Sequence, residues 1–212
     1  LACYNGALVL ANRNLSAPPI SSHEVAIKEV VRIISETRTH FSQVSINLYS
    51  DTVWYVDRLD EWVKKEAAIT QEVPQEADLL ALVQSLQIPV HKLLLIGTSA
   101  EIQKVKGYWE KQSLKTSALY LSKDNYLEVT HREVSKEKAL MELASYYNVP
   151  LAQTLAIGDN FNDLPMILKA GVGVAMANAP RRVREQADAV TLSNKDSGVA
   201  AALQKFVLSI TS

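Results

Sequence analysis

With one cysteine, Cys3, among 212 residues, the chain cannot form an internal disulfide. A reducing, cytoplasmic compartment fits that usage. An excess of charge is missing too: 22 lysines and arginines face 23 aspartates and glutamates, for a formal charge of −1. Without a basic surplus there is no electrostatic footprint for nucleic acid or an anionic membrane, and neither is expected as a partner. The four histidines, His23, His40, His91 and His131, are too dispersed to spell a zinc site. No apolar run approaches the roughly 20 residues that span a bilayer. What is there is a chain 48% apolar and 21% charged, with material for a real core, which excludes a disordered or fibrous polymer.

Apolar periodicity alternates between helix and strand almost throughout, the rhythm of an α/β protein. Leu8-Val9-Leu10 reads as a short strand ended by the turn-rich Ala11-Asn12-Arg13-Asn14. Ser21 with Glu24 three residues on has the form of a capping box, and Val25, Ile27, Val30, Val31 and Ile34 then predict an amphipathic helix to about Thr37. Val44, Ile46 and Leu48 alternate with polar residues, Asp51-Thr52 turns the chain, and Val53 to Val56 returns as a second arm. The same helix-strand-strand order recurs: Thr98 and Glu101 form another capping box, and strands at Thr116 to Leu121 and Tyr126 to Thr130 follow. No sequence identity links the two copies, so the repeat is one of topology only.

From Val134 the texture changes. Ser135 caps a helix to about Tyr147, Leu155-Ala156-Ile157 is a short apolar strand, Phe161 to Lys169 is helix, Val172 to Met176 strand, Pro180 to Ala187 helix, Ala189 to Leu192 strand, and Gly198 to Leu208 helix. Apolar strands separated by helices predict a parallel sheet covered on both faces.

Chemistry concentrates in this last stretch. Asp159 directly follows a buried-type strand, at the carboxyl edge where open α/β sheets bind ligands, with Gly158 allowing a sharp turn and Asn162 and Asp163 close behind. It is a candidate ligand for a hard cation; the plainer alternative is that Asp159 caps the next helix and Asp163 favours its first turn. Lys136 stands in the first turn of a helix, the end cations avoid, so either a bound anion explains it or it belongs to an ordinary solvated helix start. Asn178 ends the strand Val172 to Met176 region and either reaches toward the same site or caps the helix begun by Pro180.

Taken together, Tyr4-Asn5-Gly6-Ala7, Val134-Ser135-Lys136, Gly158-Asp159-x-x-Asn162-Asp163 with Met166, and Gly173-Val174-Ala175-Met176-x-Asn178-Ala179 occur in the order seen in the haloacid dehalogenase superfamily. The chain resembles its Cof-type sugar-phosphatase branch over nearly all of its length. The resemblance implies a Rossmann-like core carrying an inserted α/β cap: residues 1–12 leading from core into cap, 13–129 the cap, and 130–212 the C-terminal part of the core. It implies magnesium-dependent hydrolysis of a small phosphorylated metabolite through a phosphoaspartyl intermediate. Carried onto this chain, Lys136 binds the phosphoryl group, Asp159 ligates magnesium, Asn162 contacts phosphate, Asp163 supports the metal shell, and Asn5 lies on the substrate side.

The departures bear on activity. The family's nucleophile lies in an Asp-x-Asp pattern, and no pair of aspartates has that spacing here; the nearest, Asp57 and Asp60, are three apart and fall in the expected cap. The chain opens on the strand-like Leu1-Ala2-Cys3-Tyr4. The expectation is therefore an incomplete core that lacks about two strand-helix units, roughly 60 residues, and is inactive as it stands. The alternative is a non-catalytic remnant that binds a ligand or partner.

Overall fold

Residues 1–12 and 17–208 are described by the computed structural model, and they divide into two compact units, Leu1–Ala11 with Ser135–Ser212, and Asn12–Val134. Arg13 and Asn14, expected in a turn, lie outside the described residues.

The first unit is built on three short strands in parallel, Leu155–Gly158 beside Val172–Ala175 beside Ala189–Val190. Their runs are too short to be helices and are bounded by glycine and polar residues, so strand is the state that buries them. The helix Leu164–Lys169, with Pro165 in its first turn, lies directly on the middle strand: a Cβ on Gly173 would come within 2.2 Å of the Ile167 carbonyl oxygen. Ile167, Ala175, Ala179 and Val183 form the small core there, where the helix Arg181–Gln186 also packs. The helix starts three residues later than the periodicity predicts, because Asn160 to Asp163 are used as a turn.

At the other end of this unit's chain, Ala2–Cys3 and Leu8–Val9 pair antiparallel. Between them Tyr4, Asn5 and Gly6 all take positive φ, 54°, 59° and 102°, a left-handed turn that costs energy in its two non-glycine members. Gly6 is the residue that lets the turn sit on the helix Lys136–Tyr146, since a Cβ there would lie 2.8 Å from that of Ala139.

The second unit is a six-stranded sheet in the spatial order Gln75–Glu76, Val53–Val56, Ser45–Ser50, Lys92–Ile96, Tyr126–His131, Ser117–Lys123. Period-two alternation assigns its faces. Ile46, Leu48, Leu93, Leu95, Leu127 and Val129 enter the main core with Ile33, Ile34, Ile102 and Trp109 from the helices Ile27–His40 and Ser99–Glu110. Trp54, Leu94, Ile96 and Tyr126 point the other way, where the Tyr126 hydroxyl donates to buried Glu66 of the helix Glu61–Thr70 at 2.6 Å. The helix-strand-strand order does occur twice, and Thr98 and Glu101 make the second capping box in both directions.

The first capping box does not form. Ser21–Ser22 is extended, the helix begins only at Ile27, and its cap, Ala26, offers no side chain. Val25 donates its N–H to the Val90 carbonyl at 2.8 Å, which holds the segment out of helical conformation. Among the described residues no helix is long and apolar enough to cross a membrane.

Candidate active site

Every residue singled out by the sequence for chemistry falls in the unit of Leu1–Ala11 and Ser135–Ser212. Ser135 accepts the Lys138 N–H at 3.0 Å and so starts the helix on which Lys136 is the first residue. From there the Lys136 ammonium reaches Oδ1 of Asp163, in a direct ion pair. Asp163 is only 3% exposed, and its other oxygen, Oδ2, accepts the N–H groups of Asp159 at 2.9 Å and Asn160 at 3.0 Å. The carboxylate thus closes the loop after the strand on itself and aims the lysine, rather than capping the helix it begins. Gly158 makes the closure possible: a Cβ there would stand 2.3 Å from that of Asp163.

Asp159 differs from Asp163 in every respect that matters for binding. It is exposed, its Oδ2 accepts from the Asn178 side-chain amide at 2.9 Å, and its Oδ1 receives no hydrogen bond from the described residues. Asn178 is itself fixed, because its Oδ1 accepts the backbone N–H of Asn194 at 2.9 Å. That bond leaves the NH₂ to face Asp159. Asn162 donates toward Asn5 at 3.5 Å, the longest of these contacts, which brings the left-handed turn of Asn5 to the same loop.

Beside Lys136 opens an apolar pocket of about 340 Å³ bounded by Asn5, Gly6, Ala139, Leu140 and Met166. Among the described residues, Lys136 is the only cation that lines it. Cys3, nearby in sequence, is half-buried, and burial pushes its thiol up, which disfavours the thiolate a nucleophile needs.

The donor set fits a magnesium ion at Asp159 alone. Among the described residues no three His, Cys, Asp or Glu side chains gather to hold a metal. A hard cation that keeps its waters and takes one carboxylate plus substrate oxygens needs no such cage, and the free oxygen of Asp159 suits it. Asp163 does not suit it, since both of its oxygens are already engaged.

Sequence reasoning missed two contributors, the backbone N–H groups of Asn160 and Asn194. Main-chain donors carry no signature in a side-chain pattern, so no signal was there to find.

A Haemophilus influenzae protein whose name places it among phosphatases is 32% identical over 206 residues, 97% of this chain and 75% of that protein. The 5-amino-6-(5-phospho-D-ribitylamino)uracil phosphatase of Bacillus subtilis is 32% identical over 120 residues, 56% of this chain and 48% of that protein. The crystal structure of a haloacid dehalogenase-like hydrolase from Bacteroides thetaiotaomicron superposes with a TM-score of 0.84 at 28% identity, covering 95% of this chain and 74% of its own. Residues 1–203 match the haloacid dehalogenase-like hydrolase family as a whole, and the chain belongs to that family.

Proposed function

We propose that this chain supplies the phosphate- and metal-binding side of a magnesium-dependent phosphatase site for small phosphorylated metabolites, sugar phosphates among them, in a cytoplasmic protein. The observation that carries the reading is the placement of one cation, one free carboxylate and a set of fixed amides on a single loop system: Lys136 aimed by Asp163, and Asp159 oriented by Asn178. Support for the substrate class comes from the relative named for a phosphorylated ribitylaminouracil.

In this reading Lys136 binds the phosphoryl oxygens and offsets the charge that shifts among them during transfer. Asp159 holds the magnesium ion, which when bound would neutralise phosphate charge. Asp163 keeps the ammonium in place without ligating the metal. Asn162 and Asn5 supply polar contacts at the rim, and Asn178 a fixed amide beside Asp159.

Hydrolysis through a phosphoaspartyl intermediate also requires an attacking carboxylate beside this cluster. Asp163 is fully engaged, Asp159 is assigned to the metal, and no Asp-x-Asp occurs in the 212 residues. The chain is therefore a binder, with negligible turnover of a generic phosphomonoester.

Calorimetric titration with inorganic phosphate, with and without magnesium, tests the assignment. Phosphate binds, magnesium tightens it, Asp159→Ala removes the magnesium effect, and Lys136→Ala weakens phosphate about tenfold or more, the worth of a charge-assisted hydrogen bond. Binding that neither variant alters removes both roles. Steady magnesium-dependent turnover that Asp159→Ala abolishes would overturn the claim that the attacking group is missing.

A further inference from the structure

His91 occupies an unusual place in the unit Asn12–Val134. It is 0% exposed, at the start of the strand Lys92–Ile96, and its own N–H donates to the Tyr49 carbonyl at 2.9 Å. Its ring joins two pieces of chain distant in sequence. Nδ1 accepts the backbone N–H of Asp51 at 3.0 Å, in the turn between Ser45–Ser50 and Val53–Val56, where Asp51 is held at a left-handed φ of 49°. Nε2 lies 3.0 Å from the Ser22 hydroxyl, and that hydroxyl donates to Glu24 at 3.2 Å.

The direction of these bonds fixes the proton. Because Nδ1 accepts, the ring proton sits on Nε2 and is donated to Ser22. Ser22 and His91 are therefore not a nucleophile and its base: the nitrogen facing the hydroxyl carries hydrogen and cannot take another. Only the neutral imidazole satisfies both ends of the line, from amide to ring to hydroxyl to carboxylate. A second proton on Nδ1 would oppose N–H to N–H at Asp51 and bury a positive charge.

The ionisable groups around the ring do not cancel that cost. Burial, the largest influence, pushes the imidazole below its usual value. The carboxylates of Asp51, from the turn, and Glu24, from the lead-in segment, pull the other way, and His23 adds to the lowering. His23 in turn stacks on His131, with ring centroids 6.3 Å apart, so the segment around Ser22 meets the end of the strand Tyr126–His131 as well.

We propose that His91 is a pH-operated latch: neutral, its Nδ1 ties the Asp51 turn to the strand Lys92–Ile96, and protonation on Nδ1 releases that turn. Nε2–H still donates to Ser22 in the charged ring, Ser21–Ser22 is a paired strand, and the bond from Val25 to Val90 contains no titrating group, so the lead-in segment and the helix Ile27–His40 stay docked. The latch makes the Asp51 turn an acid-sensitive part of this unit. It does not depend on the phosphatase reading.

Hydrogen exchange on the whole chain, corrected for intrinsic rates and run from about pH 7.5 to about pH 5, tests this. Below the ordinary histidine value of about 6.5, protection at the Asp51 amide should fall about tenfold per pH unit, until the ring is fully charged, whereas that at Ser22 should not. Core amides at Leu93 to Leu95 should stay protected. His91→Gln, whose amide cannot titrate, should show no such dependence. Should that variant fail to fold, nitrogen shifts of the wild-type ring decide, with an Nε2–H imidazole at neutral pH converting to imidazolium in step with loss of Asp51 protection. Unchanged protection at Asp51 down to pH 5, or a ring that stays neutral while the turn opens, overturns the proposal.

Discussion

Asp163 holds Lys136 with one carboxylate oxygen while its other oxygen binds the N–H groups of Asp159 and Asn160. One buried side chain thus fixes the direction of the cation and the course of the loop that presents Asp159. The two partners are unequal. Lys136 has a third of its side chain in solvent, whereas that of Asp163 has 4%.

That inequality predicts different costs for removing each partner. Asp163→Ala strands two backbone donors and an ammonium, and should lower stability by about 2–4 kcal/mol. Lys136→Ala leaves a carboxylate that still accepts two N–H bonds and should cost about 1–2 kcal/mol. Urea midpoints of the two variants and their double mutant measure this, and a lysine variant that is the less stable of the two would show that the carboxylate is not the organising member.

Gly158→Ala should behave like damage to Asp163 rather than like an ordinary strand substitution. The added Cβ would meet the Asp163 Cβ at 2.3 Å and its carboxyl carbon at 2.7 Å, and no flexible side-chain end is there to yield. A loss of at least about 1–3 kcal/mol is expected, with weakened phosphate binding alongside. A variant of native stability that binds phosphate normally would mean the loop closes in some other way.

In the other unit, the acid sensitivity has a separate source at Glu29. Burial alone would raise its carboxyl, but hydrogen bonds from the Ser117 and Thr116 hydroxyls and from the Lys115 and Thr116 N–H groups outweigh it, lowering it to about 2. Because the folded value is depressed, its contribution is complete above about pH 4.5 and is lost as pH falls toward 2. Discounted for partial exposure, that contribution is about 1–2 kcal/mol. The difference in urea midpoint between wild type and Glu29→Gln should shrink across this window; a difference independent of pH would assign the effect to packing.

What the sequence made legible follows from how local each determinant is. The strand Leu155–Gly158 and the aspartate at its end were readable because four residues and a glycine decide them. The helix beginning at Lys136 was readable from Ser135, and the α/β class from the alternation of periods. The capping box at Ser21 and Glu24 misled, because the Val25 N–H that would join a helix there is taken by the carbonyl of Val90, 65 residues away. Tyr55 packs on the main core while Trp54 and Tyr126 lie on the opposite sheet face, an assignment that awaited the register of the strands. The difference between Asp159 and Asp163 was hidden for a similar reason: both are carboxylates on one loop, and only the backbone donors decide which is consumed.

Asn178 offers the sharpest test of the metal assignment, because its substitution leaves every proposed ligand in place. Its amide is fixed by the Asn194 N–H and donates to Asp159 Oδ2, so it constrains which oxygen of Asp159 remains open. Partners of this kind that orient a ligand commonly change metal affinity by about 10–100-fold when removed. Asn178→Ala should therefore weaken manganese binding, followed by the proton relaxation of bound water, by about tenfold, while the urea midpoint moves little because the residue is exposed. Asp159→Ala should abolish the same signal. If Asn178→Ala binds manganese as tightly as wild type, then the free oxygen of Asp159 is not where the ion sits, and the carboxylate is a surface group whose contact with Asn178 only joins two loops.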